Sequence, residues 1–132
     1  MTAGAEALSL RPFHTPPASS SSTVRGMQVI SRFYDHESCG QCSQCREGTQ
    51  WLHQIFARIE RGLGRMEDVE LLSSLANGMA PGKTICALSD AAAIPTHAAV
   101  KHFRAELEEH VRLGRCPLGA EHPAPELEEA HA

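Results

Sequence analysis

A chain of 132 residues with 16 acidic and 12 basic side chains has a net charge of −4 and room for one domain. Residues 1–26 sum to +1, residues 27–114 to −2 and residues 115–132 to −3, so there is no basic stripe for a nucleic-acid partner. No apolar run approaches the roughly 18 residues of a membrane span, and no apolar stretch before a small-residue cleavage site marks a secretory leader.

Along the chain, residues 1–26 hold Pro16, Pro17 and the run Ser19 to Ser22. Such a segment has little to bury and does not offset its ordering entropy, so it is expected to be a disordered arm, with the folded part running from Met27 to Gly114. Four helices are expected in that part. In the first, Val29, Ile30, Phe33 and Tyr34 form an apolar stripe. In the second, Leu52, Ile55, Phe56 and Ile59 recur at helical spacing, and Arg58, Arg61 and Gly62 give a basic last turn and a glycine stop. The third runs from about Glu67 to Ala76, with Glu67, Asp68 and Glu70 where the helix dipole favours acids. Its inner face is Val69, Leu72, Leu75 and Met79, and Asn77-Gly78 ends it. The fourth is expected to start near Pro95, since proline suits a first turn, to bury Val100, Phe103, Leu107 and Val111, and to close at Gly114. Residues 115–132 read as a mobile acidic tail. The only strand candidate, Thr84 to Leu88, is short. The expected fold is a small all-α four-helix bundle, with a core modest enough to benefit from a metal staple at one end.

The chemistry lies in the cysteines. Five is an odd count, and three are too crowded for an ordinary disulfide framework, which favours metal ligands or redox groups. The segment Ser38-Cys39-Gly40-Gln41-Cys42-Ser43-Gln44-Cys45 is C-x2-C-x2-C. Two-residue gaps let a chain wrap a [4Fe–4S] cubane and offer thiolates to three irons, the fourth iron taking a thiolate from elsewhere. Cys86 is the natural fourth ligand, in a loop with Gly82, Lys83 and Thr84. Cys116, alone before Pro117, is the competitor. Zinc in an all-cysteine site usually draws on two separated C-x2-C pairs, and a thioredoxin-type C-x-x-C needs a βαβ setting. Neither pattern is present. Gly40 and Gly48 are expected to let backbone approach the sulfurs, and Arg46 and Lys83 are candidate cations near the cluster. Trp51 reads as a core or interface residue. His97, His102 and His110 lack the spacing of a helical zinc pair, and Glu106, Glu108 and Glu109 read as a solvated face.

At these residues the sequence resembles a known family. Phe33-Tyr34, His36-Glu37-Ser38-Cys39-Gly40 and Cys45-Arg46-Glu47-Gly48-Thr49 are similar to the C-terminal iron–sulfur domain of the NADH-binding flavoprotein subunit of respiratory complex I. Gly82-Lys83-Thr84-Ile85-Cys86-Ala87-Leu88 resembles that domain's fourth-ligand loop, and Lys101-His102-Phe103-Arg104 with Glu106 resembles its last helix. The resemblance covers roughly residues 29–112. It implies a helical bundle in which Cys39, Cys42, Cys45 and Cys86 hold a [4Fe–4S] cluster that takes electrons from reduced FMN and hands them onward. Subunits of NAD-dependent formate dehydrogenases and bidirectional hydrogenases share the domain. This sequence departs from the pattern at Ser89, where the family usually has glycine.

The family's flavin and NADH sites lie in a long upstream region with glycine-rich loops, and this sequence has no G-x-G-x-x-G. FMN and NAD are therefore expected in a partner or a separate upstream region. The expected role is a single-electron relay, not catalytic alone, beside flavin-bearing and Fe–S-bearing subunits of an NADH-oxidising complex. The expected location is cytoplasmic, at the periphery of the inner membrane, in preference to a mitochondrial matrix. The alternatives are a metal-stapled assembly module and, less favoured, an NADH dehydrogenase in its own right.

Overall fold

The computed structural model describes residues 22–118. They form five helices: α1 Thr23–Glu37, α2 Ser43–Glu60, α3 Met66–Gly78, α4 Leu88–His102 and α5 Arg104–Leu113, with no strand among the described residues. The all-α class is as expected, and the helix number is one higher. The arm of residues 1–21 and most of the tail lie outside the described residues.

Helix α1 starts at Thr23, before the Met27 boundary expected from sequence. Ser22 is its N-cap, its hydroxyl accepting from the Arg25 N–H at 3.0 Å. The Thr23 N–H is taken by Glu106 Oε1 at 2.7 Å, so Glu106 is a long-range cap for α1 and not part of a solvated face. The buried side of α1 is Val24, Met27, Gln28 and Ser31, whereas Val29 and Phe33 are 57% and 58% exposed. Of the expected apolar stripe, Val29, Ile30 and Phe33 face outward, while Tyr34 packs against the core. Two polar residues on the buried side hide its helical period, and Ser31 is satisfied there by donating to the Gln28 carbonyl at 3.0 Å.

Helix α2 supplies the centre of the core. Leu52, Ile55, Phe56 and Ile59 are all buried, each worth roughly 1.5–3 kcal/mol relative to exposure. It packs chiefly on α1, and Asp35 meets His53 Nδ1 at 3.4 Å across that seam. At its other end the Arg58 guanidinium reaches the buried Asp68 at the start of α3, with Nε to Oδ2 at 3.0 Å. Asp68 Oδ2 also accepts from the Arg65 N–H at 2.8 Å. The basic last turn of α2 and the acidic first turn of α3 therefore stabilise each other as well as their own helix dipoles.

The fourth expected helix is two helices. Helix α4 begins at Leu88, so Pro95 lies in its interior. Interior proline forgoes one helical hydrogen bond and strains the preceding turn. The extra turns are held by packing, with Ser89, Ala92 and Ala93 all buried. The chain breaks at Phe103 (φ −122°, ψ 22°) and resumes as α5. The break turns Phe103 outward to 48% exposure, while Leu107 stays buried. Val111 packs on the core as expected, and Gly114 closes α5 in the left-handed region. The exposed Arg104 pairs with Glu70 of α3 and with Glu108 one turn on. Those bonds, Glu70 first, hold its guanidinium pKa above the ordinary value.

Candidate metal centre

Helix α1 ends at Glu37 with Ser38 as its C-cap, and residues 38–42 form a short connection that delivers the chain to α2. Gly40 turns it with φ +76°, a conformation that glycine adopts without the cost of a Cβ. Arg46 Nη1 donates to the Gly40 carbonyl at 2.9 Å while Nε pairs with Glu47 at 3.0 Å. Arg46 thus clamps the backbone of this turn. Lys83 is exposed.

The three clustered cysteines sit at successive depths. Cys39 is exposed in the connection, Cys42 is the half-buried N-cap of α2, and Cys45 is buried in the first turn. No side chain caps the start of α2, so the positive end of its dipole is not offset there by a capping side chain. Cys86 is exposed, one residue before the N-cap of α4, which also lacks a side-chain cap. Its loop is shaped by Gly82 at φ +82° and by Thr84 Oγ1 donating to the Cys86 carbonyl at 3.0 Å.

Met79 joins the two segments. It is buried, and a Cβ on Gly48 would lie 2.4 Å from its Sδ. Gly48 therefore makes room for Met79, which differs from the expected role of admitting backbone to the sulfurs. The Met79 carbonyl accepts from Ser89 Oγ at 3.0 Å. Met79 thus rests on α2 one turn after Cys45 and is tied to α4 three residues after Cys86. Ser89, fully buried, makes a bond that glycine at that position lacks.

Cys116 lies at the opposite end. Helix α2 has 18 residues, roughly 27 Å of rise. Just past its C-terminus, Gly62 abuts Gly114, whose carbonyl would be 2.0 Å from a Cβ on Gly62. Cys116 follows Gly114 by two residues and is buried there, far from the start of α2.

Among the described residues, no three His, Cys, Asp or Glu side chains converge as they would on a single metal ion. A cubane asks for something else, one thiolate on each of four irons. Cys39, Cys42 and Cys45 at the start of α2 and Cys86 just before α4 have the soft-donor chemistry of iron–sulfur ligands.

Trp51 is exposed, not core. His110 is fully buried, its Nδ1 2.9 Å from the Glu106 carbonyl. The sequence reading missed Ser38, whose Oγ is 3.5 Å from Cys45 Sγ. It also missed Thr49, which donates to the Cys45 carbonyl at 2.8 Å. Adjacency to the C-x2-C-x2-C run was the available signal for Ser38, and the i+4 position on the helix for Thr49. None of the helices is long and apolar enough to cross a membrane among the described residues.

The family profile described as the NADH-ubiquinone oxidoreductase-F iron-sulfur binding region matches residues 25–110. The chain is 46% identical over 95 residues to the NADH-quinone oxidoreductase-F subunit of Mycobacterium bovis, covering 72% of this chain and 21% of that protein. It is 46% identical over 93 residues to the mitochondrial NADH-ubiquinone oxidoreductase 51 kDa subunit of Neurospora crassa, covering 70% and 19%. With the mitochondrial 51 kDa subunit of Aspergillus niger it shares 40% over 104 residues, covering 79% and 21%. The chain spans about a fifth of the length of these relatives. With most of its folded part matched, from α1 through α5, the chain belongs to the family of NADH-ubiquinone oxidoreductase-F iron-sulfur binding regions.

Proposed function

We propose that Cys39, Cys42, Cys45 and Cys86 hold one [4Fe–4S] cluster at the end of the bundle where α2 and α4 begin, and that the chain serves as a single-electron relay. The observation that supports this reading is the link through Met79, which packs against Gly48 one turn after Cys45 and whose carbonyl accepts from Ser89, three residues after Cys86. The cluster would supply reversible uptake of one electron. The residues of the chain would hold four thiolates apart at the corners of the site, offer two helix N-termini to its negative charge, and keep Cys45 away from water. In this reading electrons come from a flavin site and pass to another Fe–S centre. FMN and NAD belong to a partner or to the remainder of a longer subunit. The partners are other subunits of an NADH-oxidising complex at the cytoplasmic periphery of the inner membrane. The exposed Val29, Ile30 and Phe33 face of α1 supports such docking.

Anaerobic reconstitution of the full chain tests the proposal. The expected result is about four irons and four acid-labile sulfides per chain, with an EPR signal on reduction. Zinc bound without sulfide would overturn the relay and favour a metal-stapled assembly module.

A further inference from the structure

We infer that Ser38 is a positioning residue whose hydroxyl donates a hydrogen bond to the Cys45 sulfur and thereby raises the reduction potential of the cluster. The inference rests on the four-cysteine reading above and concerns a residue outside the ligand set.

Ser38 Oγ lies 3.5 Å from Cys45 Sγ, within reach of an O–H···S bond. Two facts give that bond a direction. The Gly40 N–H donates to the same Oγ at 3.4 Å, which occupies a lone pair and leaves the hydroxyl proton free. A sulfur that ligates iron is a thiolate, which accepts and does not donate. The proton therefore points from Ser38 to Cys45. The oxygen is held in place from both sides. Ser38 is the C-cap of α1, where the chain leaves the helix with ψ 123°. Gly40 then turns at φ +76°, and Arg46 fixes its carbonyl at 2.9 Å.

Cys45 is the sulfur on which such a bond acts most strongly. It is the buried one of the four, at 7% exposure, while Cys39 and Cys86 are exposed. Away from water a hydrogen bond to charge is screened less. One-electron reduction adds negative charge to the cluster and its sulfurs without a proton. A donor on sulfur is therefore worth more in the reduced state than in the oxidised one, and favours reduction.

The test uses the full chain, reconstituted anaerobically, as wild type, Ser38→Ala and Ser38→Thr. Each is titrated at poised potentials with the reduced cluster read by EPR. At the potential where wild type is half reduced, the ratio of reduced to oxidised Ser38→Ala is expected to fall about threefold to tenfold, tenfold being about 59 mV for one electron. Ser38→Thr, which keeps the hydroxyl, is expected to restore the ratio. In reduced wild type, pulsed ENDOR is expected to show an exchangeable proton coupled to the cluster that is absent from Ser38→Ala. A fully loaded Ser38→Ala with an unchanged ratio would overturn the role of Ser38 and leave the cluster assignment intact. Should Ser38→Ala fail to load, the wild-type spectrum decides, because a lack of that exchangeable coupling there overturns the inference. A wild-type chain that takes up no iron and sulfide overturns the assignment and the inference together.

Discussion

Ser89 Oγ donates to the Met79 carbonyl at 3.0 Å, both residues being buried. The bond fixes the start of α4 to the end of α3, and the intervening residues carry Cys86. Ser89→Ala removes the donor from a buried acceptor and is expected to cost about 1–2 kcal/mol. Ser89→Gly adds the backbone freedom of a helical glycine, about 1 kcal/mol more. Urea unfolding of the apo chain measures both. If the bond also positions Cys86, both variants lose iron to a chelator faster than wild type.

Gly48 and Met79 meet so closely that one methyl group is felt. Gly48→Ala brings a Cβ to 2.4 Å from Met79 Sδ and 2.8 Å from its Cγ, so the buried Met79 side chain must shift. Overpacking of this kind costs about 1–3 kcal/mol, partly offset by the better helix propensity of alanine. The expected net loss is about 1 kcal/mol by denaturant titration. A double-mutant cycle with Met79→Ala should be non-additive, because the smaller side chain removes the clash. Additive effects would show that the two residues do not press on each other.

At the other end of α2, Gly62 combines φ +74° with a Cβ position 2.0 Å from the Gly114 carbonyl. Backbone cannot retreat as a flexible side chain can. Gly62→Ala is expected to cost about 3 kcal/mol or more, from the strained conformation and the displacement of the α5 end. Gly78 has open space around it and no positive φ, so Gly78→Ala is the control, expected to be neutral or stabilising. A thermal melt separates the two.

Cys86 and Cys116 are predicted to behave oppositely. Cys86→Ser removes the proposed fourth ligand, and iron content should fall below the wild-type four per cluster. Cys116→Ser lies beyond the far end of α2 and should leave iron, sulfide and the reduced EPR signal unchanged. It is expected to cost about 1 kcal/mol or more of stability, from a polar group placed in a buried apolar position. Loss of the cluster in Cys116→Ser with retention in Cys86→Ser would reverse the assignment.

The cysteine spacing, the helical class and the family were legible from the amino-acid sequence because each is written in short-range pattern. Three thiols at two-residue gaps mark a candidate metal-binding segment without reference to the rest of the chain, and Leu52, Ile55, Phe56 and Ile59 reveal the buried face of α2 by period alone. Tertiary structure decided what local pattern misreads. The inner face of α1 contains Gln28 and Ser31, so its period does not show, and the more apolar Val29, Ile30 and Phe33 side is left outward. Helix α4 runs through Pro95 because burial of Ser89, Ala92 and Ala93 outweighs the local cost of proline. Gly48 answers to Met79, Glu106 to Thr23, and Cys116 to the far end of the bundle, and each partner is distant in sequence. Period and spacing describe what a segment can bury or ligate. Which segments meet depends on a packing that only the assembled helices possess.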